Sequence, residues 1–512
     1  MAQTIVPFSI SAPGFYGLNI QDSPVDMNPG FALVANNCVI DKSGRIAARN
    51  GWSKKHTTNA NLSTSNVTCI GELIQNDGTS TILAAGGGYL FKHSGTTLTT
   101  LTYGGGGVAP TISANNWQFV QLNGIGIFFQ RGYDPLIYDP AVSITTFRRL
   151  SEHATYSGTV PTANTALSAY GRIWCADTTT DKNTVKWSDI ITPQIWTGGT
   201  SGTLNLLGIW PSGGDEIVGL AAHNGFLIIF GKKQTLIYSG AEIPGDMKLA
   251  DTLQVGCIAR DSIQNTGEDV IFLSNTGPRS LLRTIQEKSA PMRELSKNVR
   301  DNLQDNLGLE TMDDIKSAYS ATNAFYLLTL PTSDKTYCFD MRSILDNGAA
   351  RTTTWDTITP KSYLFTSSRK LYIGKAGYIG EYTGYLDDTA EYRMKYYTTW
   401  IDFGNPIQKS ILKKIIATLI GTDSQTLVFK YGFDFLESYQ SQSATITSSG
   451  ASSEYGIAEY NIAEYGGSAL SNEMSVNAGG HGRVIQLGLE AQINSKQLSI
   501  QKIDIFTKNG RL

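Results

Sequence analysis

No run of about 18 consecutive apolar residues occurs in the chain, so no membrane-crossing helix is expected. The opening "MAQTIVPFSISAPGFYG" lacks the basic start and continuous apolar core of a secretory leader, which points to a soluble chain that is not exported by that route. Cysteine is scarce: Cys38, Cys69, Cys175, Cys257 and Cys338 are single, odd in number and never spaced as C-x-x-C. That pattern excludes a disulfide or zinc framework and reads as small buried hydrophobes in a protein folded in a reducing cytoplasm. Charge is low as well, at 17% of residues against the usual figure of about a quarter. With a net charge of −3, no general affinity for nucleic acid or an anionic membrane follows.

Catalytic signatures are missing too. Gly86 to Gly88 and Gly104 to Gly107 are not followed by Lys-Ser/Thr or by a helix, so they read as turns rather than phosphate loops. The five histidines, His56, His93, His153, His223 and His481, are far apart, with no H-E-x-x-H and no cysteine ligand beside them. There is no G-x-S-x-G elbow. The pairs Asp313-Asp314 and Asp387-Asp388 are adjacent in turn-like contexts, which does not set two carboxylates facing each other across a sugar. No catalytic residue, cofactor or metal is expected, and the chain is not expected to be an enzyme.

What the chain has in abundance is turns and aromatics: 52 glycines, 24 tyrosines and 19 phenylalanines. Glycine supplies turns, and aromatics pack well on pleated surfaces, so a mainly β protein of roughly three domains is expected. Between about 70 and 395 short apolar runs alternate with Gly/Asn/Asp/Thr turns, and many close on an aromatic, as in "YLFKHSG", "PLIYDPA", "VKWSDI", "TLIYSGA", "KTYCFDM" and "YIGEYTG". These aromatics, Phe91, Tyr138, Trp187, Tyr238, Phe339 and Tyr382, are separated by 47, 49, 51, 101 and 43 residues. The long step holds a weaker unit, "DVIFLSNTGPRSLLRT" (269–284), so a period near fifty runs through the region.

Within "IVGLAAHNGFLIIFGKKQTLIYSGA" (217–241), Asn224-Gly225 is a two-residue hairpin turn. Phe226 to Phe230 is apolar at every position, as in a strand covered on both faces. Several short strands per unit of forty to fifty residues predict a β-propeller of six to eight imperfectly alike blades; a long β-sandwich is the alternative.

One helix is expected at 289–308, where Leu295, Val299, Leu303 and Leu307 recur every four residues, Ser289 caps, Pro291 sits in the first turn and Gly308 stops it. It reads as an amphipathic helix lying on the sheet surface. From 396 the texture changes to longer strands, interrupted at 437–482 by a Ser/Ala/Gly/Tyr-rich excursion containing "EYGIAEYNIAEYGG" (454–467). An excursion of that length without apolar periodicity reads as a protruding tip with Tyr455, Tyr460 and Tyr465. The expected organisation is an N-terminal platform segment (1–69), a propeller (70–395), and C-terminal platform strands (396–512) completing a β-sandwich-like platform with the N-terminal segment.

The segment "GLNIQDSPVDMNPGFALVANNCVIDKSGRIAARNGW" (17–52) resembles the N-terminal signature of the tail nozzle proteins, also called tail tubular protein B, of short-tailed bacteriophages. The likeness continues through 171–196, 216–240 and 256–303, and more loosely through the closing strands "VIQLGLEAQINSKQLSIQKIDIF"; 437–482 has no match. The resemblance implies a virion tail protein assembled in the host cytoplasm. Six copies would form a ring below the adaptor (gatekeeper) ring and continue the channel through which double-stranded DNA passes without specific binding. Tail fibres or spikes, and the host cell surface at infection, are the further partners implied.

In this setting Arg45, Arg49 and Trp52 are candidates for contact with a neighbouring subunit or the adaptor ring, since Arg and Trp are enriched in interfaces. The alternative is that both arginines sit in solvent and Trp52 covers the local core. Two other functions compete. One is a glycan-binding or glycan-cleaving propeller of a phage tail, in which the aromatics of 454–467 stack on sugars. The other is a cellular propeller scaffold, which the N-terminal signature disfavours.

Overall fold

The computed structural model describes residues 5–112, 116–286, 294–403, 408–420, 424–436, 438–446 and 471–509. The chain is mainly β, and its middle forms six radial blades closed into a ring. The first blade is built from Val67–Ile74, Ser80–Gly86, Tyr89–Ser94 and Thr97–Thr100. The second runs from Gln118–Leu122 to Thr146–Arg149, with Thr102–Tyr103 added in parallel at its outer edge. The third spans Ala163–Ala169 to Gly202–Asn205, and the fourth Ile217–His223 to Lys248–Leu253. Lys316–Ser320 through Ala350–Trp355 make the fifth. The sixth joins Ser362–Phe365, Leu371–Lys375 and Tyr378–Tyr382 to Trp52–Lys54, a strand from the far N-terminal side. That borrowed strand closes the ring, because the chain continues from it into the first blade.

The fourth blade shows how local sequence gives the pattern. His223 pairs with Phe226 across Asn224 (φ 49°) and Gly225 (φ 80°), and a two-residue hairpin of this hand needs two left-handed residues. In the strand that follows, Leu227 and Ile229 pack with Trp174, Val185 and Trp187 of the third blade. Ile228 and Phe230 face the other way, onto Val270, Phe272 and Leu281. Consecutive side chains of a strand point to opposite faces, so a run apolar at every position is what a blade between two neighbours requires.

Between the fourth and fifth blades lies a smaller sheet of three strands, Gln264–Asn265, Val270–Ser274 and Gly277–Ser280. Its chain leaves into the short helix Leu281–Gln286 instead of a fourth strand, which explains why the repeat skips a beat there. The expected helix at 289–308 is shorter than the spacing predicts: a 3-10 turn at Lys297–Val299 leads into Arg300–Leu307, and Gly308 ends it. Leu295 is not part of it, because its N–H bonds the Pro278 carbonyl and its carbonyl receives the Ala350 N–H. Ser289 and Pro291 lie outside the described residues. Leu295, Val299, Leu303 and Leu307 are all buried, and they join the main core together with Tyr326 and Phe339 instead of lying on an outer surface.

The platform consists of two sheets. A seven-stranded sheet joins Ser410–Ile420 and Ser499–Asn509 to Ile5–Ser11, Cys38–Ile40, Ile46–Ala48, Ser471–Asn477 and His481–Gly482. The other is continuous with the fifth blade. After Ala350–Trp355 its order runs through Gly17–Leu18 and Phe31–Asn36 to Tyr392–Thr398, Ile485–Ile493, Gln425–Phe433 and Gln440–Ile446, ten strands in all. The main hydrophobic cluster crosses the same boundary, from Leu328 and Phe339 to Leu412, Leu489 and Ile503. All five cysteines are buried with free thiols.

The excursion expected at 437–482 is not wholly a protrusion. Gln440–Ile446 pairs with Gln425–Phe433, Ser471–Asn477 pairs with Ser410–Ile420, and Met474 and Val476 belong to the core. Deleting 437–482 is therefore expected to abolish cooperative folding of the platform, whereas a deletion that spares these two strands keeps it. Limited proteolysis and circular dichroism of the two variants check this; equal stability of both would contradict the strand assignment.

Candidate functional site: the N-terminal clamp and the propeller mouth

Residues 41–52 begin as a tight turn. The Asp41 side chain accepts the Ser43 and Arg45 N–H groups, and Gly44 (φ 74°) turns the chain so that Ile46–Ala48 returns along Cys38–Ile40. From there the two arginines go inward. Arg45 is 7% exposed, and its Nε donates to Gln501 Oε1 at 2.6 Å, on the closing strand of the platform. Arg49 is fully buried. Its Nη1 and Nη2 donate to the two carboxylate oxygens of Asp387 at 2.9 and 2.7 Å, a bidentate pair.

The remaining donors of Arg49 are used as well. Nε reaches Asn37 Oδ1 at 3.3 Å, Nη1 the Asn50 carbonyl at 2.7 Å, and Nη2 the Thr357 hydroxyl. The Tyr392 ring lies 3.9 Å from the guanidinium carbon, and the Tyr392 hydroxyl donates to the Arg49 carbonyl. Trp52 packs in the cluster between the fifth and sixth blades with Trp355, Ile373 and Tyr382.

Arg45, Arg49 and Trp52, expected to meet a neighbouring subunit or the adaptor ring, are 7%, 0% and 9% exposed in the single chain. A guanidinium with no exposed surface and every donor engaged by its own chain has nothing left to offer a partner. The alternative expectation, of arginines in solvent, is contradicted by the burial of both, although Trp52 does cover a local core. Asp387 and Asp388 are also accounted for: the first holds Arg49 and the second holds Lys54 at 2.8 Å. Tyr455, Tyr460 and Tyr465 lie outside the described residues.

A second polar cluster, which the sequence reading missed, lies at the propeller axis where the inner strands begin. Arg260 is 5% exposed and lies flat against Asp261, with Nε to Oδ1 at 2.7 Å and Nη2 to Oδ2 at 2.9 Å. It also donates to Asn116 Oδ1 at 2.5 Å and the Asn164 carbonyl at 2.6 Å. Lys316 adds a second cation to Asp261 and bonds Asn116 Oδ1 at 2.9 Å. Burial alone would raise the Asp261 carboxyl, but the two cations outweigh it and hold it well below the usual carboxylate range.

Two cavities border this cluster, of about 430 Å³ beside Arg131, Asp177, Lys182 and Lys232, and about 340 Å³ beside Asn66, Asn116, Asp314 and Lys361. Their cations are largely paired already, as Arg131 and Lys182 are with Asp177 and Lys232 is with Glu216. Among the described residues no group of three or more His, Cys, Asp or Glu side chains is placed to hold a metal ion.

No family model matches the chain, and no curated protein matches it. Among solved structures it is similar to the extracellular domain of BT4673 from B. thetaiotaomicron, at 10% identity and a TM-score of 0.41 over 71% of this chain and 43% of that one. A second structure of that domain aligns at 12% identity and a TM-score of 0.41 over 67% and 41%. The Pan2 WD40 domain of Neurospora crassa aligns at 9% identity and a TM-score of 0.38 over 65% of this chain and 96% of its own. The chain thus spans less than half the length of the BT4673 domain. None of these likenesses carries a functional argument at such scores; the propeller is read from the strand pairing itself.

Removing one partner of a buried bidentate pair leaves the other charge stranded, at a penalty of about 3–5 kcal/mol. Arg49→Ala is expected to destabilise the chain by that amount and Arg49→Lys by less, since a lysine keeps the charge but not the fork. Denaturant unfolding checks both; a loss below about 1 kcal/mol, the range of an exposed pair, would contradict the clamp.

Proposed function

We propose that the chain is a non-enzymatic structural subunit of a viral tail: a homohexameric nozzle that forms the distal part of a DNA-ejection channel below the adaptor ring and helps to hold fibres or spikes. The observation that carries this reading is the use made of residues 17–52, the stretch that resembles the N-terminal signature of tail nozzle proteins. Gly17–Leu18 and Phe31–Asn36 join the fifth blade to the platform in one sheet, Cys38–Ile40 and Ile46–Ala48 extend the other platform sheet, and Trp52–Lys54 closes the propeller ring. A segment whose strands supply joints between propeller and platform supports a mechanical part better than an enzyme.

Charge supports the same reading. Each phosphate neutralised by Lys or Arg makes DNA binding tighter and more salt-dependent, so a wall that DNA must slide past is served by a net charge of −3. For the glycan-binding alternative, the two cavities beside Asn116 and Arg131 show no aromatic side chain among the described residues, while Trp117, Phe119 and Tyr363 line a third, of about 250 Å³, beside Asp261.

Purified protein, alone and mixed with its adaptor ring, is expected to give six-fold annular particles in negative stain and a hexamer in native mass spectrometry. Solitary particles that never join into rings with the adaptor present would overturn the proposal, as would turnover of a capsular polysaccharide.

A further inference from the structure

The propeller ring has one seam, where the sixth blade meets the first, and a buried histidine of the connecting link is bonded to the sixth blade there. The link leaves Trp52–Lys54, the outermost strand of the sixth blade, and runs along both neighbours. The Lys55 N–H bonds the Ile379 carbonyl at 3.0 Å on the sixth-blade side, and the Thr57 N–H bonds the Thr96 carbonyl at 3.0 Å on the first-blade side. His56 lies between them, 5% exposed. Its Nδ1 is 2.7 Å from the Thr57 carbonyl oxygen, and its Nε2 is 3.0 Å from the Ile379 backbone nitrogen. A carbonyl only accepts and a backbone N–H only donates, so Nδ1 carries the ring hydrogen and Nε2 its lone pair. Both nitrogens are committed to the neutral form, and a second proton at Nε2 would point at the Ile379 N–H.

The surroundings offer that proton no compensation. The first blade presents His93, whose ring centre is 6.2 Å away and whose Nε2 donates to the Lys55 carbonyl at 3.2 Å. From the sixth blade, Tyr378 stacks on His56 at 5.6 Å, and the Lys54 ammonium lies 4.1 Å from the centre of that tyrosine ring. The nearby carboxylates already have cations: Glu381 is 2.7 Å from Lys55 and 3.4 Å from Lys370, and Asp388 is 2.8 Å from Lys54. Among the described residues no carboxylate pairs with His56.

We propose that His56 is an acid-sensitive pin of the propeller seam, whose protonation breaks the bond to Ile379 and loosens the ring-closing link from the sixth blade. Burial, and to a lesser degree the His93 ring, depress the His56 imidazole, against the opposing pull of the Thr57 carbonyl. The direction of the effect follows. Above the ordinary histidine value of about 6.5 both the closed and the open seam hold a neutral ring, and the closed form keeps its full stability. As the pH falls below that value the open form takes the proton and the closed form resists it, so closure weakens. The inference is independent of the tail reading.

Amide hydrogen exchange of the full chain, corrected for intrinsic rates and read at about pH 8 and about pH 5, spans the range in which histidine changes charge. Peptides covering 52–57 and 377–382 are expected to exchange several-fold faster at the acid end while the third and fourth blades stay protected, and His56→Gln is expected to flatten this dependence. Unchanged seam protection at about pH 5, or the same acid response in His56→Gln, would overturn the proposal. Should that variant fail to fold, exchange at the imidazole C2 position titrates His56 in the wild-type chain. A midpoint below the ordinary value that tracks seam opening sustains the proposal, and one at or above it refutes it.

Discussion

Arg49 is a permanent cation in a site without solvent, and such a charge is tolerable only where its partners are fixed around it. Those partners come from remote parts of the chain. Asp387 follows the last propeller strand, Thr357 links the fifth and sixth blades, Asn37 belongs to the N-terminal hairpin, and Tyr392 opens the first C-terminal platform strand. Loss of Asp387 would leave a bare charge behind, and loss of any of the others would strip a polar or aromatic contact from a buried one. The clamp therefore stands where the propeller, the N-terminal segment and the platform meet, and the continuous ten-stranded sheet passes the same place.

Two bodies joined by a sheet, a shared core and a buried ion pair behave mechanically as one. Under the proposed tail function that property would let the subunit hold its shape while a genome passes, and residues 17–52 are fixed by the geometry of the joint between the two bodies. The axial cluster of Arg260, Asp261 and Lys316 does something similar on a smaller scale. It fills the middle of the ring with satisfied charges and ties the three-stranded sheet to the fifth blade and, through Asn116, to the approach to the second.

Much of the fold was legible because it depends on local rules. Asn224-Gly225 dictates a hairpin of one hand, and the all-apolar run Phe226 to Phe230 marks a strand that has neighbours on both faces from Leu227 onward, Phe226 itself being exposed. The fifty-residue period marks blades, and its one long step marks the sheet that a helix completes. What could not be read depends on distance. Arg49 meets Asp387 across 338 positions, and Lys316 meets Asn116 across 200. An arginine near a turn looks the same in sequence whether its partner is a neighbouring subunit or its own chain. The spacing of Leu295 with Val299, Leu303 and Leu307 misled for a related reason: a four-residue apolar interval marks burial, and an extended connection anchored by Pro278 and Ala350 can bury its leucine as well as a helix does.

The central claim, that propeller and platform form one mechanical unit locked at Arg49, is tested most directly by differential scanning calorimetry of the intact chain. A single cooperative endotherm for the wild type, splitting into two in Arg49→Ala, is the predicted result. Two well-separated transitions already present in the wild type would contradict it.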